Sequence, residues 1–135
     1  MSITRQGNVD GQEFSDTTHA LIAVAATQTS ALFTAQRPFR VDAVELLSDV
    51  TIPLSGVNFY TFNLRVGGRS AATFNLSAST ITAGLSSLMT LVAETGQAPI
   101  DNRVAAKGEL VDCVMTLTGT LNITVRCIVH GRYVG

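Results

Sequence analysis

Apolar and polar side chains alternate along most of this chain with the two-residue period of half-buried β-strands. The clearest case begins at Phe59. Tyr60, Phe62, Leu64 and Val66 share one face, with Thr61, Asn63 and Arg65 opposite. After Gly67-Gly68-Arg69 the pattern resumes, with Ala72, Phe74 and Leu76 on one face and Thr73, Asn75 and Ser77 on the other. A three-residue loop at 67–69 sets Phe62 across from Phe74, Leu64 from Ala72 and Tyr60 from Leu76. Both apolar faces then coincide, and glycine supplies the positive φ that such a turn needs.

Upstream, Phe39 and Val41 point one way, whereas Val44 and Leu46 take up the apolar face after a change of phase. A β-bulge near Ala43 produces that change. Pro38 and Pro53 flank the run, where a missing N–H does least harm. Residues 19–26 and 31–35 read as earlier strands, the first buried on both faces. In the last third, Val111, Cys113, Met115 and Leu117 share one face, as do Leu121, Ile123, Val125, Cys127 and Val129. A hairpin turning at Gly119 would bring Cys113 opposite Cys127. It would also place Asp112 opposite Ile128, diagonally between Arg126 and His130. Consecutive strands of a jelly roll often lie in opposite sheets, which is the competing arrangement. Residues 79–92 carry Ile81, Leu85, Leu88, Met89 and Val92 at helical spacing, but Thr80, Thr82, Gly84 and Thr90 are poor helix formers. The expectation there is a loop with one helical turn, then a strand over 88–93, then a loop over 94–101.

These elements predict an all-β chain: a single antiparallel, jelly-roll-like β-sandwich of about eight strands over 19–135, preceded by an extended N-terminal arm over 1–18. The arm is polar and turn-rich, with Ile3, Val9 and Phe14 its large apolar residues.

Composition changes the picture in one respect. Hydrophobic residues make up 46% of the 135, which is ordinary, but charged residues make up 14% against about 25% in a typical domain. Eight of the nine basic residues are Arg; Lys107 is the exception. Arg suits interfaces and Lys suits free solvent. Few charges and many Thr, Ser and Ala describe outer faces that other subunits cover, hence a homo-oligomer or a larger assembly. The net charge of −1 weighs against a nucleic-acid partner, which needs a basic face. The apolar run over 20–26 is far too short to cross a bilayer, and Asp10, Glu13 and Asp16 before it are wrong for a signal peptide, so no membrane partner is expected.

Candidate chemistry is sparse. Cys113 and Cys127 fall on apolar strand faces and read as buried thiols; a disulfide is compatible with the hairpin register but not demanded by it. No CxxC spacing or His cluster points to a metal. His19 and His130 have no nucleophile at a recognisable spacing, and no nucleophile elbow, P-loop or dinucleotide fingerprint occurs. No catalytic, cofactor or metal residue is assigned, and an enzyme is not expected. Two sequons, at Asn75 and Asn122, sit inside expected strands. The chain has no Trp and two Tyr, which gives a sugar little to stack on.

Three stretches carry a resemblance: 37–44 (RPFRVDAV) before the Gly-centred hairpin, 103–111 (RVAAKGELV), and the closing 121–129 (LNITVRCIV). Together they resemble small virion proteins of tailed bacteriophages, in particular capsid decoration (cement) proteins and head-fibre domains with a jelly-roll-like sandwich. The resemblance implies a non-enzymatic protein, a capsid-bound trimer or monomer with the trimer favoured, that binds and stabilises a phage capsid, with the major capsid protein as partner. It implies a place on the capsid surface of the virion and, before assembly, in the host cytoplasm. The alternative class is a receptor- or glycan-binding module of a fibre or lectin-like protein. Contact residues are expected in the arm (Ile3, Arg5, Phe14) and in two loops (Leu54 to Asn58, and Gln97 to Asn102).

Overall fold

The computed structural model describes residues 13–16, 22–94 and 101–134. The strands are β1 (Glu13–Asp16), β2 (Ile22–Val24), β3 (Gln28–Thr34), β4 (Phe39–Leu47), β5 (Phe59–Val66), β6 (Arg69–Asn75), β7 (Ser87–Leu88), β8 (Thr90–Leu91), β9 (Val104–Ala105), β10 (Leu110–Thr118) and β11 (Ile123–Tyr133). No helix occurs among the described residues. One sheet runs β1-β11-β4-β7, with β2 also paired to β11 and β9 to β4; the other runs β3-β10-β5-β6-β8. Every strand pairing is antiparallel.

From β2 onward the chain changes sheet at each successive strand, save for the β5–β6 hairpin. That winding is the jelly roll, two antiparallel sheets closed over one core. The eight expected strands become eleven because three sheet positions are held by short pieces. β1 and β2 both lie along β11, β7 and β9 both lie along β4, and β8 extends the second sheet beyond β6. Residues 13–16 of the expected arm are therefore the strand opposite 129–132.

The β5–β6 hairpin has the register that the alternation dictates, with Phe62 opposite Phe74 and Leu64 opposite Ala72. Its turn is tighter than expected. Gly67 and Gly68, at φ 56° and 84°, form a two-residue turn that sets Val66 opposite Arg69. An extra residue at Ala71 then restores the register, so Ala71 and Ala72 are both buried. The bulge in β4 lies where the phase change put it: Val41 faces Gly131, Ala43 faces His130, and Asp42 is the extra residue.

Three expectations are corrected. β10 and β11 do not form a hairpin. β10 lies between β3 and β5, and β11 between β2 and β4, so neither has an edge left for the other. Gly119, at φ 77°, turns the chain across to the opposite sheet, and the next residue, Thr120, donates its N–H to Asn58 Oδ1 at 2.8 Å. Cys113 accordingly faces Leu64 and Ser30, and Cys127 faces Leu46. The early apolar run yields the short strand β2, in which Val24 is buried and Ala23 exposed, so it is not covered on both faces. Over 79–92 there is no helical turn. The strand expected after it divides into β7 on one sheet and β8 on the other, with Met89 buried between them and its N–H bonded to Val44 O at 2.8 Å.

The core lies between the sheets. Its largest enclosed side chains are Tyr60, Phe39, Phe62, Leu46, Leu64, Leu76, Ile81 and Met115. The Tyr60 hydroxyl donates to Leu121 O at 2.6 Å, so its burial leaves no orphaned polar group. The connections gather at two ends of the sandwich. One end holds 35–38, the Gly67-Gly68 turn and 101–109. The other holds 25–27, 48–58, 76–86 and 119–122.

Candidate interaction surface

Because side chains alternate across each strand, every inward set leaves an outward set on the sheet. On the five-stranded sheet, one outward row reads Thr29, Val114, Asn63, Thr73, Thr90 across all five strands. The next reads Thr116, Thr61, Asn75. A third reads Ala31, Asp112, Arg65, Ser70. Among the described residues, the charged side chains on this face are Arg65 and Asp112, and they neutralise each other. Arg65 Nε lies 2.9 Å from Asp112 Oδ1, and Nη2 lies 2.7 Å from Oδ2. Ser70 Oγ donates to Asn63 Oδ1 at 2.6 Å. The face is otherwise a field of hydroxyl, amide and small apolar groups.

The outer face of the other sheet is charged. Arg40, Asp42, Glu45, Arg126, His130 and Arg132 stand on β4 and β11. Arg132 Nε approaches Asp42 Oδ2 at 3.4 Å. Glu94 receives Arg40 at 3.4 Å and Arg103 at 3.5 Å. Glu45 accepts from Ser86 Oγ at 2.5 Å on one oxygen and meets His130 Nε2 with the other. The Ser86 hydrogen bond, opposed by desolvation and helped by His130, holds the Glu45 carboxyl below its ordinary value. Ser86 and His130 sit on different oxygens of one carboxylate.

The end opposite the Gly67 turn is apolar. Val50, Leu54, Val57 and Leu85 are 68%, 51%, 71% and 61% exposed. Its four connections contain one charged residue, Asp49. Segment 48–54 lies beside 80–84, held by reciprocal backbone bonds between Ile52 and Ile81 and by Gly84 N to Ser48 O at 2.9 Å. By following 80–84 it leaves β11, and a cleft of about 550 Å³ opens between Val50, Ile52 and Pro53 on one side and Ala23, Leu121 and Ile123 on the other. The other end is pinned by charge instead. Arg69 makes two hydrogen bonds to Glu109, at 3.1 and 2.8 Å, and one to Val104 O at 2.9 Å.

Of the expected contact residues, Leu54 and Asn58 lie together at the apolar end. Leu54 is exposed, and the Asn58 side chain is used to hold the 119–120 turn. Asn102 lies at the opposite end, 7% exposed, with Nδ2 donating to Ser70 O at 3.0 Å; it braces the interior rather than facing outward. Phe14 is in β1, opposite Gly131. Ile3, Arg5 and Gln97 fall outside the described residues, as does His19. The expected grouping of Asp112 with Arg126 and His130 does not occur, because Asp112 and those two residues are on different sheets. Val57, also exposed, lies within the expected 54–58 loop, whereas sequence reasoning missed Val50 and Leu85, whose signal was apolar side chains among turn residues. Both cysteines are buried and no disulfide joins them. Among the described residues no group of three or more His, Cys, Asp or Glu is placed to hold a metal ion.

No family model matches the chain, and no curated protein matches it. Among solved structures, it is similar to a chain of the structure of infectious bursal disease virus, Gx strain, at 12% identity and a TM-score of 0.46. The alignment covers 100% of this chain and 38% of that one, so this chain spans well under half the length of the viral one. The likeness is one of overall chain trace at low similarity, and the jelly-roll assignment rests on the strand order above.

Proposed function

We propose that this protein is a non-enzymatic structural component of a virus particle, a jelly-roll decoration protein that docks on a coat lattice and reinforces it. The observation that carries the reading is the segregation of charge. Ionised groups crowd the outer face of the β11–β4 sheet and the Gly67 end, while the face of the β10–β5 sheet carries one self-neutralised pair. Interface centres are depleted of charged residues, and hydroxyl and amide groups keep hydrogen-bonding partners when they dock, so this face loses little on leaving water. A rigid sheet holds these groups in fixed rows, and repetition over a lattice turns modest single contacts into firm attachment. The partner is the major capsid protein. The location is the capsid surface of the virion, the tailed-phage head being the lattice that the sequence resemblance favours, with the host cytoplasm as the place before assembly.

The test is attachment. Particles purified from the source should contain the chain, and particles stripped of it should lose heat resistance that added protein restores. Thr73→Arg or Thr116→Glu, at exposed positions of the β10–β5 face, should fold normally and fail to restore it. Absence from particles, or restoration by those variants as by the wild type, would overturn the proposal. Saturable binding of a glycan by this face, without attachment to particles, would move the protein to the receptor-binding class.

A further inference from the structure

The proposed docking face leaves the apolar end of the sandwich unexplained. Four of the large hydrophobic side chains that remain in water, Val50, Leu54, Val57 and Leu85, belong to two connections at this end. Together they leave on the order of 400 Å² of apolar surface in water, the size of the largest patch on a typical monomer. We infer that this end is where copies of the chain meet one another, exposed side chains of one copy entering the cleft of the next.

Two features single out a second copy as the occupant. First, both halves of an apolar contact are present on the same end. Leu54 and Val57 project, whereas the roughly 550 Å³ cleft beside β2 is concave and lined by Val24, Ile52 and Ile123. A surface that holds both a projection and a complementary hollow is suited to self-association, head-to-tail around a ring or reciprocally about a two-fold axis. Second, the charges fit this partner and not the obvious rival. Apolar loops that enter a lipid surface are accompanied by Lys or Arg for the headgroups. The connections 25–27, 48–58, 76–86 and 119–122 contain no basic residue, and Asp49 would be repelled by an anionic surface. With Asp49 the one charged residue in these four connections, like ends approach without a cluster of opposing charges.

The experiment is sedimentation equilibrium on the full chain over a concentration series reaching the high-micromolar range. The wild type should form one discrete oligomer that dissociates on dilution. Leu54→Asp and Leu85→Asp, in different connections, should each weaken self-association roughly thirtyfold or more, the loss expected of a central contact. Ala25→Trp, which fills the cleft from its own side, should do the same. All three are exposed positions, so circular dichroism and Tm should match the wild type. Thr73→Asp on the sheet face should leave the oligomer intact, separating this contact from lattice attachment. A wild type that stays monomeric throughout, or an oligomer indifferent to all three variants, overturns the inference. So does a monomer that co-sediments with phosphatidylserine vesicles, which would assign the loops to lipid.

Discussion

Arg65 on β5 and Asp112 on β10 stand directly opposite each other and are joined by two parallel hydrogen bonds, of 2.9 and 2.7 Å. The pair lies in the outward row nearest the Gly67 turn, on a face that otherwise carries no charge among the described residues. The Asp112 side chain is 9% exposed and that of Arg65 33%.

Removing one member alone should therefore cost more than removing both. Arg65→Ala leaves a nearly buried carboxylate without its partner, and about 2 kcal/mol of stability should be lost. Arg65→Leu combined with Asp112→Leu should recover most of that loss. Urea denaturation of Arg65→Ala, of the single variants Arg65→Leu and Asp112→Leu, and of the double variant checks this. Additive losses would show that the pair is not coupled.

Acid should loosen the fold through two other carboxylates. Glu109 is held below its ordinary value chiefly by the Arg69 hydrogen bonds, and Glu45 chiefly by Ser86. Each binds its proton less readily folded than unfolded. Their contribution is thus present above 4.5, the ordinary value, and is lost as the pH falls through the folded values. Tm should drop as the pH is lowered beneath 4.5, and Glu109→Gln should start lower at neutrality and drop less. An unchanged acid slope in that variant would contradict the assignment.

The glycines should differ sharply in their tolerance of a side chain. Gly131 faces Val41 at the β4 bulge, and a Cβ there would overlap the Arg40 carbonyl oxygen and lie 3.0 Å from its carbon. Backbone cannot yield as a side chain can, so Gly131→Ala should cost about 3 kcal/mol. Gly68, at φ +84°, has open space around it. Gly68→Ala should cost about 1–2 kcal/mol, from conformation alone. Thermal or urea unfolding of the two variants gives the order.

Cys113 and Cys127 are 1% exposed each, and no disulfide joins them. Neither thiol should react with a bulky aromatic disulfide reagent in the native protein, and both should react in denaturant. A thiol that titrates at once under native conditions would show that its sheet opens.

The hairpin through Gly67 and the bulge beside Ala43 were legible because local alternation alone fixes which side chains share a face. The sheet partners of β10 and β11 were not. Val111, Cys113 and Met115 alternate identically whether the neighbour is β11 or β5, and Gly119 serves a hairpin and a crossing between sheets equally well. The same ambiguity gave Asp112 the wrong partners. Leu85 and Leu88 fall at helical spacing with Ile81, Met89 and Val92, yet no helical turn forms and both lie in water; Gly84 N–H bonds Ser48 O and Leu88 pairs with Glu45, long-range contacts that no periodicity records. The scarcity of charge was plain from composition. How the charges divide between the two sheets was hidden, because an outward residue in a strand pattern does not say which sheet it belongs to.

Hydroxyl-radical footprinting of the chain, free and in purified particles, tests the central claim most directly. Outward residues of β3, β10, β5 and β6, such as Val114 and Thr73, should be protected on assembly, while Arg126 and Arg132 on the opposite sheet stay reactive. Equal reactivity of Val114 and Thr73 in both states, or protection confined to the charged sheet, would contradict it.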